Sequence, residues 1–260
     1  MPDDRPFDPR REARRLATRV HVPEDVEARE LDAQARKQLL GLSKDTADLV
    51  ARHLVMAGRL MDDDPEQALR HVRAATAMAG RVGAVREANG LVAYVAGEWA
   101  EALAELRAAR RITGEPDHLA VMADCERALG RPDRALAMGD DKDVDRLDPA
   151  ARIELLIVCS GARRDRGQLE AAAHLLEVGA LTGPVKPWTG RLRYAYADAL
   201  LALGREEDAR QWFAAAVEAD PDGETDAQER LLELDGLVLE DLQPDHADDV
   251  EQDAGTGPAH

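Results

Sequence analysis

The chain has 260 residues and a formal net charge of −18, and it is 45% hydrophobic but only 3% aromatic. A core drawn from such a composition is made of Ala, Leu and Val, and with Ala and Leu favouring helix and no long β-branched or aromatic runs, an all-α fold follows. The acidic balance offers no net basic face to a phosphate backbone, and no apolar run is long enough to span a bilayer, so neither nucleic acid nor membrane is an expected partner.

Residues 1–22 mix Pro and Asp with six arginines and few large apolar side chains, the composition of a disordered arm. Pro23 stands at the favoured first position of a helix, with Val26, Leu31, Ala35, Leu39 and Leu40 along one stripe and Gly41 at its end. This helix is expected to cap the N-terminal end of a helical stack. Ser43 is placed to cap a helix over 44–61, and Asp64-Pro65 starts a second helix with Ala68, Val72 and Ala75 on one face. A second pair runs over 83–115, with Gly90, a turn at Gly97, and then Ala102, Leu106 and Ala109.

In the third pair, over 116–148, Gly130 and Ala135 are in place, but Gly139 stands where a large apolar residue is expected. Its second helix should therefore be short and run into the acidic stretch Asp140 to Asp145. The fourth pair, over 149–186, opens with Asp148-Pro149 and carries Gly167, Ala172, Leu176 and Pro184. The fifth, over 187–223, has its first helix from about Trp188 to Leu203 and the clearest second half. There Gly204 is followed by Ala209, Phe213, Ala216 and Pro221. Gly204 permits a tight turn, Ala209 lets the helices cross closely, Phe213 and Ala216 share its face, and Pro221 cannot continue the helix.

The turn residues Asp63, Gly97, Gly130, Gly167 and Gly204 lie 34, 33, 37 and 37 residues apart. This pattern resembles the tetratricopeptide repeat (TPR) family, whose unit is a helical hairpin of about 34 residues. The likeness covers roughly 44–221, and the whole also looks like uncharacterised actinobacterial TPR proteins. It implies a right-handed α-solenoid of about five hairpins within a repeat domain over 23–242. A last helix over 224–242, with Leu231, Leu234, Val238 and Leu242, would cap the stack. Residues 220–260 hold 14 acidic side chains and one basic one, Arg230. From 243 to 260 the composition is that of an acidic disordered tail.

In TPR arrays the first helix of each pair lines a concave groove. The resemblance places Val50, His53 and Ala57 there from the first unit, Glu87, Leu91 and Tyr94 from the second, and Asp124 and Arg127 from the third. Glu154 and Arg164 come from the fourth, and Arg191, Tyr194 and Asp198 from the fifth. The family's carboxylate clamp is not reproduced. His53 and Ala57 stand where its Lys and Asn would be, and Ala88 replaces a second Asn, so a chaperone C-terminus is not the expected ligand. Alternating signs with two tyrosines suit an extended or helical peptide held by Tyr and Arg anchors. The plainer alternative is ordinary solvated helix residues paired at i, i+4.

Sites for chemistry are sparse. No phosphate loop, dinucleotide fingerprint or nucleophile elbow occurs, so no cofactor is expected. Asp141, Asp143 and Asp145 match the first three positions of a calcium loop, but Arg146 and Arg152 replace its required Gly and Glu. Histidine and cysteine spacings fit no metal site. Cys159 reads as a core residue, while Cys125, beside Asp124 and near Arg127, is the candidate for a partly exposed thiol. Trp188, ahead of a first helix, is a candidate exposed anchor. Together these features lead to a non-enzymatic, cytoplasmic scaffold that binds a protein or peptide partner in its groove, with the oligomeric state open. Two rivals stand beside it: action of the acidic tail on a basic partner, and an enzyme with a carboxylate site around Asp124 and Glu154.

Overall fold

The computed structural model describes residues 20–236, and among these the secondary structure is wholly helical. A short helix, α1 (Ala33–Gln38), precedes five antiparallel hairpins. The first is α2 (Lys44–Leu60) with α3 (Pro65–Ala79), and the second α4 (Gly83–Val95) with α5 (Trp99–Thr113). The third is α6 (Leu119–Ala128) with α7 (Pro132–Gly139), and the fourth α8 (Pro149–Asp165) with α9 (Leu169–Leu176). A single turn, α10 (Gly179–Thr182), leads to the fifth hairpin, α11 (Thr189–Ala202) with α12 (Glu206–Glu218), and α13 (Ala227–Leu234) closes the stack. Each hairpin packs on the next, giving an α-solenoid whose core runs along the stack in successive hydrophobic clusters.

The local signals act as the chemistry requires. Asp64 and Asp148 accept hydrogen bonds from Gln67 N and Ala151 N, and the prolines directly after them sit at the first turn of α3 and α8. Gly97, Gly130, Gly167 and Gly204 all adopt φ between 70° and 75°, the left-handed region a side chain resists. Ser43 caps α2 only through its backbone; its hydroxyl donates to Thr46 Oγ1 at 2.8 Å instead. In the second hairpin Gly90 lets α4 and α5 touch, since a Cβ there would lie 2.6 Å from Leu106 Cγ.

Two expectations need correction. Pro23 does not open a continuous helix to Gly41. Pro23 O accepts from Val26 N at 3.3 Å in a single turn, and Arg52 donates to the Pro23 and Val26 carbonyls at 2.8 Å each, tying this stretch to α2. A Glu27–Glu30 capping box then makes one 3-10 turn (Ala28–Glu30), and Asp32 caps α1 afresh by accepting from Gln34 N and Ala35 N. Leu40, expected on the buried stripe, is 80% exposed. At the other end α13 stops at Leu234, and Gly236 takes φ 74°. Val238, Leu242, the acidic tail and the first 19 residues of the expected arm lie outside the described residues.

Gly90→Ala is expected to lower unfolding free energy by about 1–3 kcal/mol through overpacking against Leu106. Gly58→Ala, in α2 where a Cβ meets nothing, is expected to raise it by about 0.5–1 kcal/mol. Urea unfolding of the two variants against the parent checks both signs.

Candidate functional site

The helices α4, α6, α8 and α11 carry their polar side chains to one face and link each unit to the next. His118, just ahead of α6, lies 3.0 Å from Glu87 Oε1 on α4. Tyr94 Oη donates to Asp124 Oδ2 at 2.7 Å, and Arg127 Nη1 donates to Asp124 Oδ1 at 3.0 Å. Arg127 also reaches forward to Asp165 on α8, with Nε to Oδ2 at 2.8 Å. Arg164 donates to Asp198 on α11, and Arg191 returns from α11 to Glu154 on α8 at 2.7 Å. In place of the i, i+4 pairing of the plainer alternative, these side chains form a ladder between units; of these residues only Asp124 and Arg127 pair within one helix.

This ladder borders a pocket of about 460 Å³ between α6, α8, α11 and the segment before α13. Arg127, Arg164, Arg191, Tyr194 and Asp198 line it, together with Ile157, Ser160, Gly161, Ala195, Glu224, Thr225 and Asp226. Gly161 leaves room at this spot for the Arg127 guanidinium to rest on the α8 backbone: a Cβ would lie 2.5 Å from Arg127 Cζ and push the side chain aside. Tyr194 stacks edge-on against Phe213 with ring centroids 5.5 Å apart, and Arg230 lies over the other side of the network, 5.7 Å from the same Phe213 ring and 3.5 Å from Asp198. Burial, then hydrogen bonds to Asp124 and Asp226, raise the Tyr94 and Tyr194 phenols well above their usual range. Both stay neutral donors.

Glu87 and Leu91 do not share this pocket. They line a second one of about 350 Å³, walled on its other side by Leu31, Gln34 and Gln38 of the N-terminal segment. Gln38 Oε1 accepts a hydrogen bond from Ala84 N at 2.9 Å and fixes that wall to α4. The first unit contributes no groove side chain from the expected set. Val50, His53 and Ala57 are all buried within the first hairpin and its core, while the N-terminal segment covers α2 at Val55 and Met56. His53 faces His71 inside the first hairpin.

The remaining candidates also settle into the fold. Asp141 and Asp143 both accept hydrogen bonds from Arg110, at 2.6–2.9 Å, and so strap the acidic stretch to the end of α5. The hydrogen bonds from Arg110 hold both carboxyls below the usual range. Among the described residues no three His, Cys, Asp or Glu side chains are grouped to hold a metal ion. Cys125 is fully buried rather than partly exposed, and burial pushes its thiol up to about 12; Cys159 is raised to about 11 for the same reason. Trp188 is half-buried, packed against the core of the fifth unit instead of standing free. Sequence reasoning missed Gly161, Asp226 and Arg230. The first has a readable signal, since it stands 34 residues after Arg127, one repeat length on.

No protein-family model and no curated protein matches the chain. Among solved structures, the chain is similar to a crystal structure of nearly identical TPR-like repeats from a Podospora anserina protein described as a kinesin light chain. The identity is 16% and the TM-score 0.53, over 68% of this chain and 95% of that one. The fold is therefore that of a TPR-like α-solenoid. A looser likeness, with a TM-score of 0.37 and 14% identity, is to the structure of Naa15/Naa10 bound to HypK-THB, over 88% of this chain and 39% of that one. Among the described residues no helix is long and apolar enough to cross a membrane.

Tyr94→Phe removes the donor that joins the second and third units. It is expected to lower unfolding free energy by about 1.5–3 kcal/mol, the range for a hydrogen bond to a charged acceptor, without changing helix content by circular dichroism.

Proposed function

We propose that this chain is a non-catalytic interaction scaffold that holds an extended or helical segment of another protein along its concave face. The observation that carries this reading is the pocket formed where the third, fourth and fifth units meet. It combines an aromatic edge (Tyr194), guanidinium groups (Arg164, Arg191) and an apolar floor (Ile157, Ala195). Tyr and Arg are the side chains most enriched at binding hot spots, and three units contributing to one pocket give it shape that a single helix lacks. Each guanidinium is already matched by a carboxylate, so a bound segment would exchange these pairs one for one. That favours a partner stretch with both signs over one with a single charge. The carboxylates on this face act as acceptors for arginine and tyrosine, which is a binding rather than a proton-transfer arrangement.

A photo-crosslinking residue in place of Ala195, followed by capture and mass spectrometry, is expected to trap one protein partner through a single short segment. Arg191→Glu combined with Tyr194→Ala should weaken that partner's affinity about tenfold or more. Undiminished affinity in the folded double variant would move binding off the concave face.

A further inference from the structure

A second polar arrangement lies inside the first hairpin and plays no part in the groove. His53 on α2 and His71 on α3 are 0% and 2% exposed, with their Nδ1 atoms 3.0 Å apart. At that separation one hydrogen lies between the rings, so one Nδ1–H donates and the other Nδ1 accepts. His53 Nε2 is buried without a hydrogen-bond partner. An unmet lone pair is tolerated inside proteins better than an orphaned N–H. His53 is therefore the donor through Nδ1, leaving Nε2 bare, and His71 the acceptor.

Among the described residues no counter-charge is placed to receive an added proton. The charges acting on His53 are those of His71 and Arg52, both cationic when charged, and Arg52 is spent on the Pro23 and Val26 carbonyls. In the N-terminal segment Asp25 and Glu30 bind Arg59. On α3, Arg73 binds Glu101; on α4, Arg86 binds Glu105 and Glu87 binds His118. A proton added to His71 Nδ1 would set two N–H groups against each other. One added to His53 Nε2 would leave a charged donor in an apolar interior with no acceptor. Either way the ring must leave its place.

We infer that the first hairpin is an acid-sensitive latch: protonation of the His53–His71 pair opens Lys44–Ala79 while the last two hairpins keep their fold. The N-terminal segment is seated on α2, and its Gln38 holds one wall of the pocket at Glu87 and Leu91. Leu54 of α2 lines the same pocket, so opening the hairpin removes that wall and the surface on which the N-terminal segment packs, and acid remodels the N-terminal end of the groove first. Among the described residues the fourth and fifth hairpins have no equivalent pair; His174, the histidine found there, has its side chain 85% exposed.

The sign is set by where the protons bind. Burial, with the neighbouring His71 and Arg52, lowers His53 from 6.5 to about 4, and burial lowers His71 as well. The opened hairpin therefore takes up protons below the ordinary imidazole value while the closed one does not. The latch is complete above 6.5 and weakens as pH falls from there toward about 4, the opening constant rising roughly tenfold per pH unit for each proton taken up.

Hydrogen exchange of the full chain, corrected for the intrinsic rate, separates the hairpins. Between about pH 7 and about pH 5 the opening of 44–79 should rise by at least about tenfold relative to 189–218, and reverse on neutralisation. His53→Leu with His71→Leu should abolish that difference. Equal changes in both segments, or the same pH dependence in the double variant, would overturn the latch. Should the double variant not fold, NMR of histidine-labelled parent protein decides. Two rings that stay neutral below the ordinary range and titrate only as hairpin signals are lost support it. All rings titrating normally with the hairpin intact would refute it.

Discussion

Each hairpin closes where its second helix meets the first through an alanine. Ala68, Ala102, Ala135, Ala172 and Ala209 are all completely buried, one per unit. A methyl group there lets the two helix axes approach, and close packing then demands a larger side chain one turn on, supplied by Val72, Leu106, Leu176 and Phe213. In the third unit that larger side chain is missing. Gly139 lies against Cys159, where a Cβ would be 2.9 Å from its Sγ, and α7 ends there after eight residues. The chain is then strapped back by Arg110, with Val144 and Leu147 packing on the core beyond the acidic stretch. The extra length between the third and fourth turns is this strap.

Because the crossings use up the apolar side chains, the concave face is left to polar groups whose partners lie one unit away. Tyr94 with Asp124, Arg127 with Asp165, and Arg164 with Asp198 each cross a unit boundary. Partly exposed pairs of this kind add little stability one by one. In the proposed scaffold role their larger effect would be on specificity, since a ligand that cannot replace a displaced partner leaves a charge unmatched. The seating of Arg127 on Gly161 shows how backbone shape, and not charge alone, sets the ladder's geometry.

The first unit departs from the others for a physical reason. An outermost repeat has no neighbour on one side, and here the N-terminal segment supplies it. Val26, Leu31 and Leu39 pack on the hairpin, and α2 is buried nearly all round from Val50 to Ala57. A helix buried on every side must internalise whatever polar residues it carries, and that encloses His53 with His71. The last unit is closed differently. α13 covers it with an amphipathic turn whose Arg230 reaches Asp198 and Phe213, so the pocket there stays open to solvent.

The hairpins were legible in the sequence because they depend on residues that act locally or at fixed spacing. Glycine at a left-handed turn, an aspartate before a proline, and alanine five residues after each turn residue have the same consequence wherever they occur. The N-terminal helix was misread because Arg52, 26 and 29 residues further on, ties the Val26 and Pro23 carbonyls to α2, a contact that no periodicity reveals. The groove was legible as a face but not as a site. The family resemblance put Arg164, Arg191, Tyr194 and Asp198 in one set with Glu87 and Leu91, whereas which of them line the same pocket depends on how units stack. Sequence alone thus determined the repeating helical hairpins, because each is specified by contacts within about one repeat length. Only the tertiary structure decided which polar side chains face solvent, which face one another and which are sealed inside, because that is set by neighbours distant in the chain.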